Sequence, residues 1–408
     1  MKEDVIMSTV TINTAALTEQ LIGDIQAQSP RYIRISHDIN DHPELGNEEY
    51  YASGLLTQVL RDEGFSIETD IAGHPTGFIA RKKAPNATGP VLGFLAEYDA
   101  LPEIGHGCGH NIIGTASVAA AITLAKVLAE TGGEIVVFGS PAEEGGTNGS
   151  AKASYVKQGL FKEIDACLMV HPANLTATTE RTLALDPIDF EFKGKPAHAA
   201  ACPENGVNAL DGVIQLFNGI NALRQHLPID VRIHGIITHG GDAPNIVPAY
   251  AKARFFVRAG TRARCNEVTQ KVIAIAHGAA LATGSEVAIS YFQNPVDDFL
   301  INRNFNTLFK EVMEQLGAEI LTNSGRNMGS TDAGNVSQVV PTIQPFIRIG
   351  PNDLVAHSVE FANAAKSPTG DHGLLVSIQA LAVTGLILLT DPNRLQAIKD
   401  EFVLQRSE

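Results

Sequence analysis

Three segments of this sequence carry side chains that can bind metals or move protons. Cys108 and His110 lie in the run HGCGH, and the acidic pair Glu143 and Glu144 lies between proline and glycine residues. His171 follows a further apolar run. Thiolate, imidazole and carboxylate are the ligands that zinc and related divalent metals take in proteins. These residue types therefore predict a site for one or two divalent ions.

A nucleophilic cysteine is an alternative of a different chemical class. Cys108 would attack a carbonyl with His110 as its base, but Glu143 and Glu144 would then have no task. In a metal site, one of two adjacent carboxylates binds the ion and the other accepts the proton of a water molecule. We favour the metal site. Two alternatives stay open, the Cys108 nucleophile and a non-catalytic protein that binds a peptide in the same cleft.

Each of the three segments follows a short apolar run that is typical of a buried strand. The runs are residues 91–96, 134–139 and 164–170, with apolar helical segments between them. Strands that alternate with helices form a mostly parallel sheet, and ligands bind beyond the carboxyl ends of its strands. The pattern therefore predicts an α/β fold in which the candidate metal ligands meet at one edge of the sheet.

The pattern of apolar residues changes after residue 186. Alternating strands and two amphipathic helices then follow in the order β-α-β-β-α-β, which is that of a ferredoxin-like sandwich. Helix and strand alternate again from about residue 294. We predict a catalytic domain formed by residues 1–186 and 294–408, with an α+β lid domain of residues 187–293 inserted into it.

Length and charge limit the classes of partner. The chain has 408 residues, enough for two domains, and its net charge of −15 disfavours nucleic acid and anionic membranes as partners. Its four cysteines are far apart, which predicts free thiols. The polar N-terminus has no apolar core of the kind that a signal peptide needs, and no apolar run reaches about 18 residues. We expect a cytoplasmic protein with a small-molecule substrate.

The sequence resembles the aminoacylase and dipeptidase metallopeptidase family (peptidase family M20), and most closely its amidohydrolase branch. The resemblance rests on the segments AEYDALPEIGHGCGHN, SPAEEGG, VHP, GKPAHAA and GGDAPNIVP, and it extends in order from HPELGNEE to AHSVEFANAA. It implies a two-domain fold with an inserted lid through which the chains dimerise. It also implies two divalent ions, zinc or manganese, and hydrolysis of the amide bond of N-acyl amino acids, aminoacyl conjugates or small peptides by a metal-activated water.

The resemblance further implies a ligand set for the two ions. By position the ligands are Cys108, His110, Glu144, His171 and His357. Family members with the motif H-x-D have a ligand where this chain has Glu97, and Cys108 is the expected substitute. Many amidohydrolases also have an aspartate where this chain has Asn111. The bridging ligand is therefore open.

The remaining roles come from the same resemblance. Glu143 corresponds to the general base, and Asp99 to the carboxylate that orients a ligand. His198, in GKPAHAA, corresponds to a lid histidine that reaches the scissile carbonyl. If the lid dimerises, that carbonyl lies in the partner chain's site. Asn245 and Arg258 correspond to lid residues that hold the substrate's carboxylate.

Overall fold

The computed structural model describes residues 12–86, 88–323 and 329–407. The helices are α1 (Thr14–Asp41), α2 (Tyr50–Asp62), α3 (His110–Ala125), α4 (Leu128–Thr131), α5 (Ala151–Lys157), α6 (Ala209–Arg224), α7 (Arg262–Thr283), α8 (Arg303–Gln315), α9 (Ala333–Ser337), α10 (Val359–Ala364), α11 (Pro368–Thr390) and α12 (Pro392–Ser407). The strands are β1 (Ser66–Ile71), β2 (His74–Lys83), β3 (Val91–Glu97), β4 (Glu134–Ser140), β5 (Ala166–Leu168), β6 (His171–Ala173), β7 (Ala184–Lys193), β8 (Arg232–His239), β9 (Tyr250–Ala259), β10 (Glu286–Tyr291), β11 (Thr342–Ile343) and β12 (Phe346–Arg348).

The larger sheet has six strands in the order β1-β2-β4-β3-β5-β11. The pairs from β4 to β11 are parallel, whereas β1–β2 and β2–β4 are antiparallel, so the sheet is mixed and not parallel throughout. The antiparallel edge comes from a hairpin that the sequence analysis did not assign. Its turn is Ala72-Gly73, and both residues have positive φ, as the tight turns that match strand twist require.

Helices cover the larger sheet and form its core with it. Every residue of α3 is buried, and α3 packs against α1 and α11. By length and composition α11 could cross a membrane, but 72% of its most apolar 18-residue window is buried inside the protein. A helix that is apolar on all sides and covered by neighbours is typical of the centre of a large core.

The smaller sheet has four strands in the order β10-β7-β9-β8, and all its pairings are antiparallel. Its strands and helices follow one another as β7-α6-β8-β9-α7-β10, and α6 and α7 pack on one face. In β9, buried and half-buried residues alternate, as expected for a strand with one covered face. This layer spans residues 184–291, and the domain boundaries at 187 and 293 stay a prediction.

The third predicted strand of the larger sheet is divided in two. β5 ends at Leu168, and His171 begins β6, which pairs with β12 in a separate two-stranded ribbon. Pro172 has no amide proton to donate, so it is compatible with a short ribbon and not with the middle of a larger sheet. His171 therefore lies on the ribbon and not at the end of β5.

Candidate metal centre

The ends of β3 and β4 place the candidate ligands at one edge of the larger sheet. These strands are parallel, and Glu97 pairs with Ser140, so their carboxyl ends are level. The loop after β3 leads through Asp99 and Cys108 to His110, and the loop after β4 carries Glu143. The predicted convergence of strand ends is therefore what the structure shows.

Gly109 determines how the first of these loops enters α3. Its φ of +77° is in the left-handed region, which glycine adopts without strain. A Cβ at this position would lie 2.8 Å from Cγ of Pro172, so only glycine lets this loop pack against the ribbon that carries His171. The close approach brings the ligands from β3 and β6 together.

The possible ligand atoms fall into three groups, and within each group they lie within 4.8 Å of one another. The groups are Cys108, His110 and His171; Cys108, Glu144 and His357; and Glu97, His110 and Glu143. All five ligands expected from the family resemblance are in the cluster. Cys108 is common to the first two groups.

Asp99 fixes the orientation of His110. His110 donates from Nδ1 to Oδ1 of Asp99 (2.8 Å), which leaves Nε2 as the lone-pair atom of the neutral ring. Nε2 is buried and has no hydrogen-bond partner, although Oε2 of Glu97 lies 3.4 Å away. A buried nitrogen without a partner is costly, and a divalent cation would satisfy it. The residues therefore fit a metal ion.

The other two histidines are oriented through backbone atoms. His171 donates from Nδ1 to the carbonyl oxygen of Pro172 (2.7 Å), and its Nε2 lies 3.4 Å from Sγ of Cys108. The amide of His357 donates to the carbonyl oxygen of Gly107 (2.8 Å) and so ties its loop to the loop that carries Cys108. Nε2 of His357 is 3.4 Å from Oε1 of Glu144. Each ring thus presents Nε2 to the cluster.

The two adjacent glutamates have opposite shifts of pKa. Burial and the charges of Glu97 and Glu144 raise the pKa of Glu143 well above its ordinary value. Burial also acts on Glu144, but the hydrogen bond from His357 and the charge of His110 lower its pKa below the ordinary value. Two carboxyls whose environments separate their pKa values are suited to different roles, one to proton transfer and one to a permanent negative charge.

The thiol of Cys108 is not activated as a nucleophile. Burial, together with the charge of Glu144, raises its pKa well above the ordinary value. Reactive cysteines have lowered pKa values, whereas a metal ion deprotonates a coordinating thiol directly. The environment of Cys108 therefore favours the ligand role over the nucleophile. All four cysteines are free thiols, as predicted.

His198 and Asn245 lie beside each other, away from the metal centre of the same chain. His198 is exposed and its Nδ1 accepts hydrogen bonds from the amides of Ala200 and Ala201. The carbonyl oxygen of Asn245 accepts from the amide of Ala199 (3.0 Å). Among the described residues, neither side chain lines the cleft at the metal centre. In the neutral ring of His198 the proton is on Nε2, which is then a free donor.

Arg258, by contrast, lines the same cleft as the metal ligands. The cleft has a volume of about 1300 Å³ and extends from Glu143 and His171 to Arg258 on the smaller sheet. Arg258 donates from Nη1 to Oγ of Ser330 (2.8 Å), and its Nε is buried without a partner among the described residues. Burial lowers the pKa of this guanidinium. The arrangement suits a substrate anion.

A buried lysine beside the cluster was not found from the sequence. Lys152 is fully buried, its Nζ is 2.8 Å from Oε1 of Glu97, and it also pairs with Asp332. A buried cation of this kind compensates the negative charge of Glu97. Its partner Asp332 is 180 residues away along the chain, so no local pattern pointed to the pair.

Comparisons with curated proteins find one family. The model of Peptidase family M20/M25/M40 matches residues 93–370. The Xaa-Arg dipeptidase of Mus musculus is 34% identical over 398 residues, which cover 94% of this chain and 91% of that protein. One component of the p-aminobenzoyl-glutamate hydrolase of Escherichia coli is 29% identical over 453 residues, which cover 92% of this chain and 93% of that protein.

Solved structures share the fold. An aminobenzoyl-glutamate utilization protein from Klebsiella pneumoniae superposes with a TM-score of 0.73 at 18% identity, covering 90% of this chain and 98% of its own. A dinuclear metal-binding peptidase of the M20 family from Bacillus subtilis has a TM-score of 0.64 at 19% identity, covering 89% and 99%. Similarity extends over nearly the whole chain in both.

Proposed function

The chain belongs to peptidase family M20/M25/M40 and is a metal-dependent hydrolase, and on this premise we propose that two divalent ions serve it in cleaving the amide bond of dipeptides and related acyl or aminoacyl amino acids. The observation that carries the proposal is the pair of ligand groups that share Cys108. The expected family membership is confirmed by the match of the family model.

The donor atoms fit two ions that share one ligand. Cys108, His110 and His171 would hold one ion, and Cys108, Glu144 and His357 the other. When bound, such ions lower the pKa of a coordinated water towards about 7 and polarise the substrate's carbonyl. Thiolate favours zinc, whereas imidazole and carboxylate also accept manganese, so both metals are candidates.

Glu143 is the proposed general base. Its Oε2 lies 4.0 Å from Nε2 of His110, so the carboxyl faces the metal centre without being one of the five proposed ligands. It takes the proton of the attacking water and returns it to the leaving amine. A carboxyl in a buried environment that raises its pKa can hold a proton between these two steps, which a carboxyl of ordinary pKa does poorly.

The substrate class follows from what two relatives share by name. A Xaa-Arg dipeptide and a p-aminobenzoyl-glutamate both contain an amide bond to an amino acid with a free carboxylate. We propose that Arg258, with its unpartnered Nε, binds this carboxylate, and that Asn245 assists it. Guanidinium is the side chain best matched to a carboxylate.

We also propose that the active unit is a homodimer formed through the residue 187–293 layer. His198 lies on this layer, and its Nε2–H would donate to the carbonyl oxygen of a substrate in the partner chain as negative charge develops there. Support comes from the exposure of His198 and from its position outside the cleft of its own chain, which leaves it available to a second copy. A cytoplasmic location remains part of the proposal.

A panel of substrates tests the proposed function. The protein is loaded with zinc or with manganese and incubated with Xaa-Arg dipeptides, p-aminobenzoyl-glutamate and N-acyl amino acids, and the released amino acid is quantified. We expect hydrolysis of at least one class, lost in Glu143→Gln. A protein that binds these compounds without cleaving any of them would instead support the peptide-binding alternative. Cleavage that survives metal removal and is abolished by thiol alkylation would support the Cys108 nucleophile.

A further inference from the structure

The loop that carries the two glutamates has an unfavourable backbone. Ala142, Asn148 and Ser150 all have positive φ, at +56°, +54° and +66°, although none of them is glycine. Residues other than glycine rarely adopt this region, and they keep it only where surrounding contacts enforce it. Glu143 and Glu144 follow directly after Ala142, so whatever holds Ala142 also directs these two side chains.

Glu49 makes the contact that holds Ala142. Its side chain is fully buried, and Oε1 accepts a hydrogen bond from the amide of Ala142 (2.9 Å). Its other oxygen, Oε2, accepts from Oγ1 of Thr76 (2.6 Å). Burial and the charge of Asp99 raise the pKa of Glu49 to about 7. A buried carboxyl with this cost is retained where its acceptor atoms have a task.

The base is thus fixed on both sides by carboxylate acceptors. Glu49 accepts from the amide of residue 142, and Oδ2 of Asp99 accepts from the amide of Glu144 (2.9 Å). Glu143 lies between these two amides. Its side chain therefore leaves a backbone whose direction is set from two different elements.

Residues next to Glu49 hold the rest of the same loop. Asn47 donates from Nδ2 to the carbonyl oxygen of Thr147 (2.9 Å). A Cβ on Gly46 would lie 2.7 Å from the carbonyl oxygen of Gly145 and 2.8 Å from Cβ of Ala142. These contacts lie in the segment HPELGNEE, to which the metal chemistry assigns no role. The segment packs against the glutamate loop along its length.

We propose that Glu49 is a positioning residue that acts through the amide of Ala142 to direct Glu143 and Glu144 at the metal centre. The inference rests on the proposed function, because it assigns the two glutamates their roles in metal binding and proton transfer. Glu49 itself touches neither a ligand atom nor the substrate. A purely structural role would stabilise the fold without affecting the chemistry of the correctly folded protein.

Two variants of Glu49 and one matched control separate these roles. Glu49→Leu removes the acceptor for the amide of Ala142. Glu49→Gln keeps it, because the amide oxygen can accept from Ala142 while its NH₂ donates to the Thr76 hydroxyl. Glu134→Gln is the control, since it makes the same change at a buried carboxylate that pairs with Arg81 at the opposite end of β4.

Three quantities are measured on each folded variant: amide hydrogen exchange in residues 141–150, bound metal per chain, and kcat and KM for a cleaved substrate. Glu49→Leu should speed exchange in this segment, lose metal, and lower kcat by about 10²-fold with KM within about threefold. Glu49→Gln and Glu134→Gln should stay within about fivefold of the wild-type kcat.

Two results would overturn the inference. One is a folded Glu49→Leu with wild-type exchange in the segment and wild-type kcat, and the other is a loss in Glu49→Gln as large as in Glu49→Leu. If Glu49→Leu does not fold, Gly46→Ala displaces the same loop and decides the matter, with unchanged kcat counting against Glu49. If the wild type cleaves no amide, the proposed function fails, while exchange and metal content still test the role of Glu49.

Discussion

Glu143 and Glu144 are chemically identical neighbours in different surroundings. Glu143 faces the charges of Glu97 and Asp332, whereas Glu144 accepts a hydrogen bond from His357. The first environment favours a protonated carboxyl and the second favours a carboxylate. At the scale of single residues, this difference is the strongest support for one base and one ligand.

Replacing each glutamate by glutamine tests the assignment. Glu143→Gln keeps size and hydrogen bonding but cannot accept a proton, so kcat should fall by about 10²–10⁴-fold while metal content stays near normal. Glu144→Gln should lose metal, because a neutral amide is a poor ligand. Metal analysis and steady-state kinetics on both variants check this. The opposite pattern would exchange the two roles.

The types of the metal ligands could be predicted from the sequence, but their supporting residues could not. Cys108 and His110 lie in a recognisable motif two residues apart. Glu49 and Ala142 are 93 residues apart, and Lys152 and Asp332 are 180 apart. A buried polar pair of this kind has no signature in either segment alone, because each residue acquires its meaning only when the fold brings in its partner.

At the scale of elements, the strands that lead to the site were the predictable ones. β3 and β4 are continuous apolar runs, which is the pattern of strands buried on both faces. The hairpin β1–β2 escaped because β1 is mostly exposed and its turn, Ala72-Gly73, lacks the Asn-Gly or Asp-Gly signal. The division of β5 and β6 depends on pairing with β12, a segment more than 170 residues later.

The hairpin is joined to the glutamate loop by a histidine that titrates far below its usual range. His74 donates from Nδ1 to Oδ1 of Asn47 (2.7 Å), and burial lowers its pKa to about 4. Between pH 6.5 and about 4, the unfolded chain carries a proton on this ring that the native protein lacks. Acidification in this window therefore favours unfolding.

Glutamine in place of His74 removes this linkage. The midpoint of urea unfolding, measured from pH 7 to pH 4.5, should fall less in His74→Gln than in the wild type. His277→Gln changes an exposed histidine of α7 and is the control, with a pH dependence close to that of the wild type. An equally steep decline in His74→Gln would mean that other groups account for the acid sensitivity.

At the scale of the whole molecule, the smaller sheet has an open edge at β8. Ile236 and Ile237 on this strand are exposed, at 63% and 45%. An edge strand with exposed apolar residues is a natural surface for pairing with another chain. This surface and the outward position of His198 are compatible with the proposed homodimer.

Mixed dimers test whether His198 acts across the interface. Homodimers of Glu143→Gln and of His198→Ala should both be nearly inactive, because every site lacks one group. After random exchange of chains, about half of the dimers are mixed and each has one complete site, so activity should recover to about a quarter of the wild type. Native mass spectrometry establishes that exchange has occurred. Exchange without recovered activity would place His198 within its own chain or outside the reaction.

Stepwise reloading with metal tests the central claim, that amide hydrolysis depends on two ions sharing Cys108. The protein is stripped with a chelator, zinc or manganese is added back in steps, and bound metal and hydrolysis are measured in the same samples. Stripped protein should be inactive, and activity should reach its maximum only when the second equivalent is bound, whereas Cys108→Ser should fail to retain both ions. Full hydrolysis by metal-free protein, or two ions held normally by Cys108→Ser, would contradict the account.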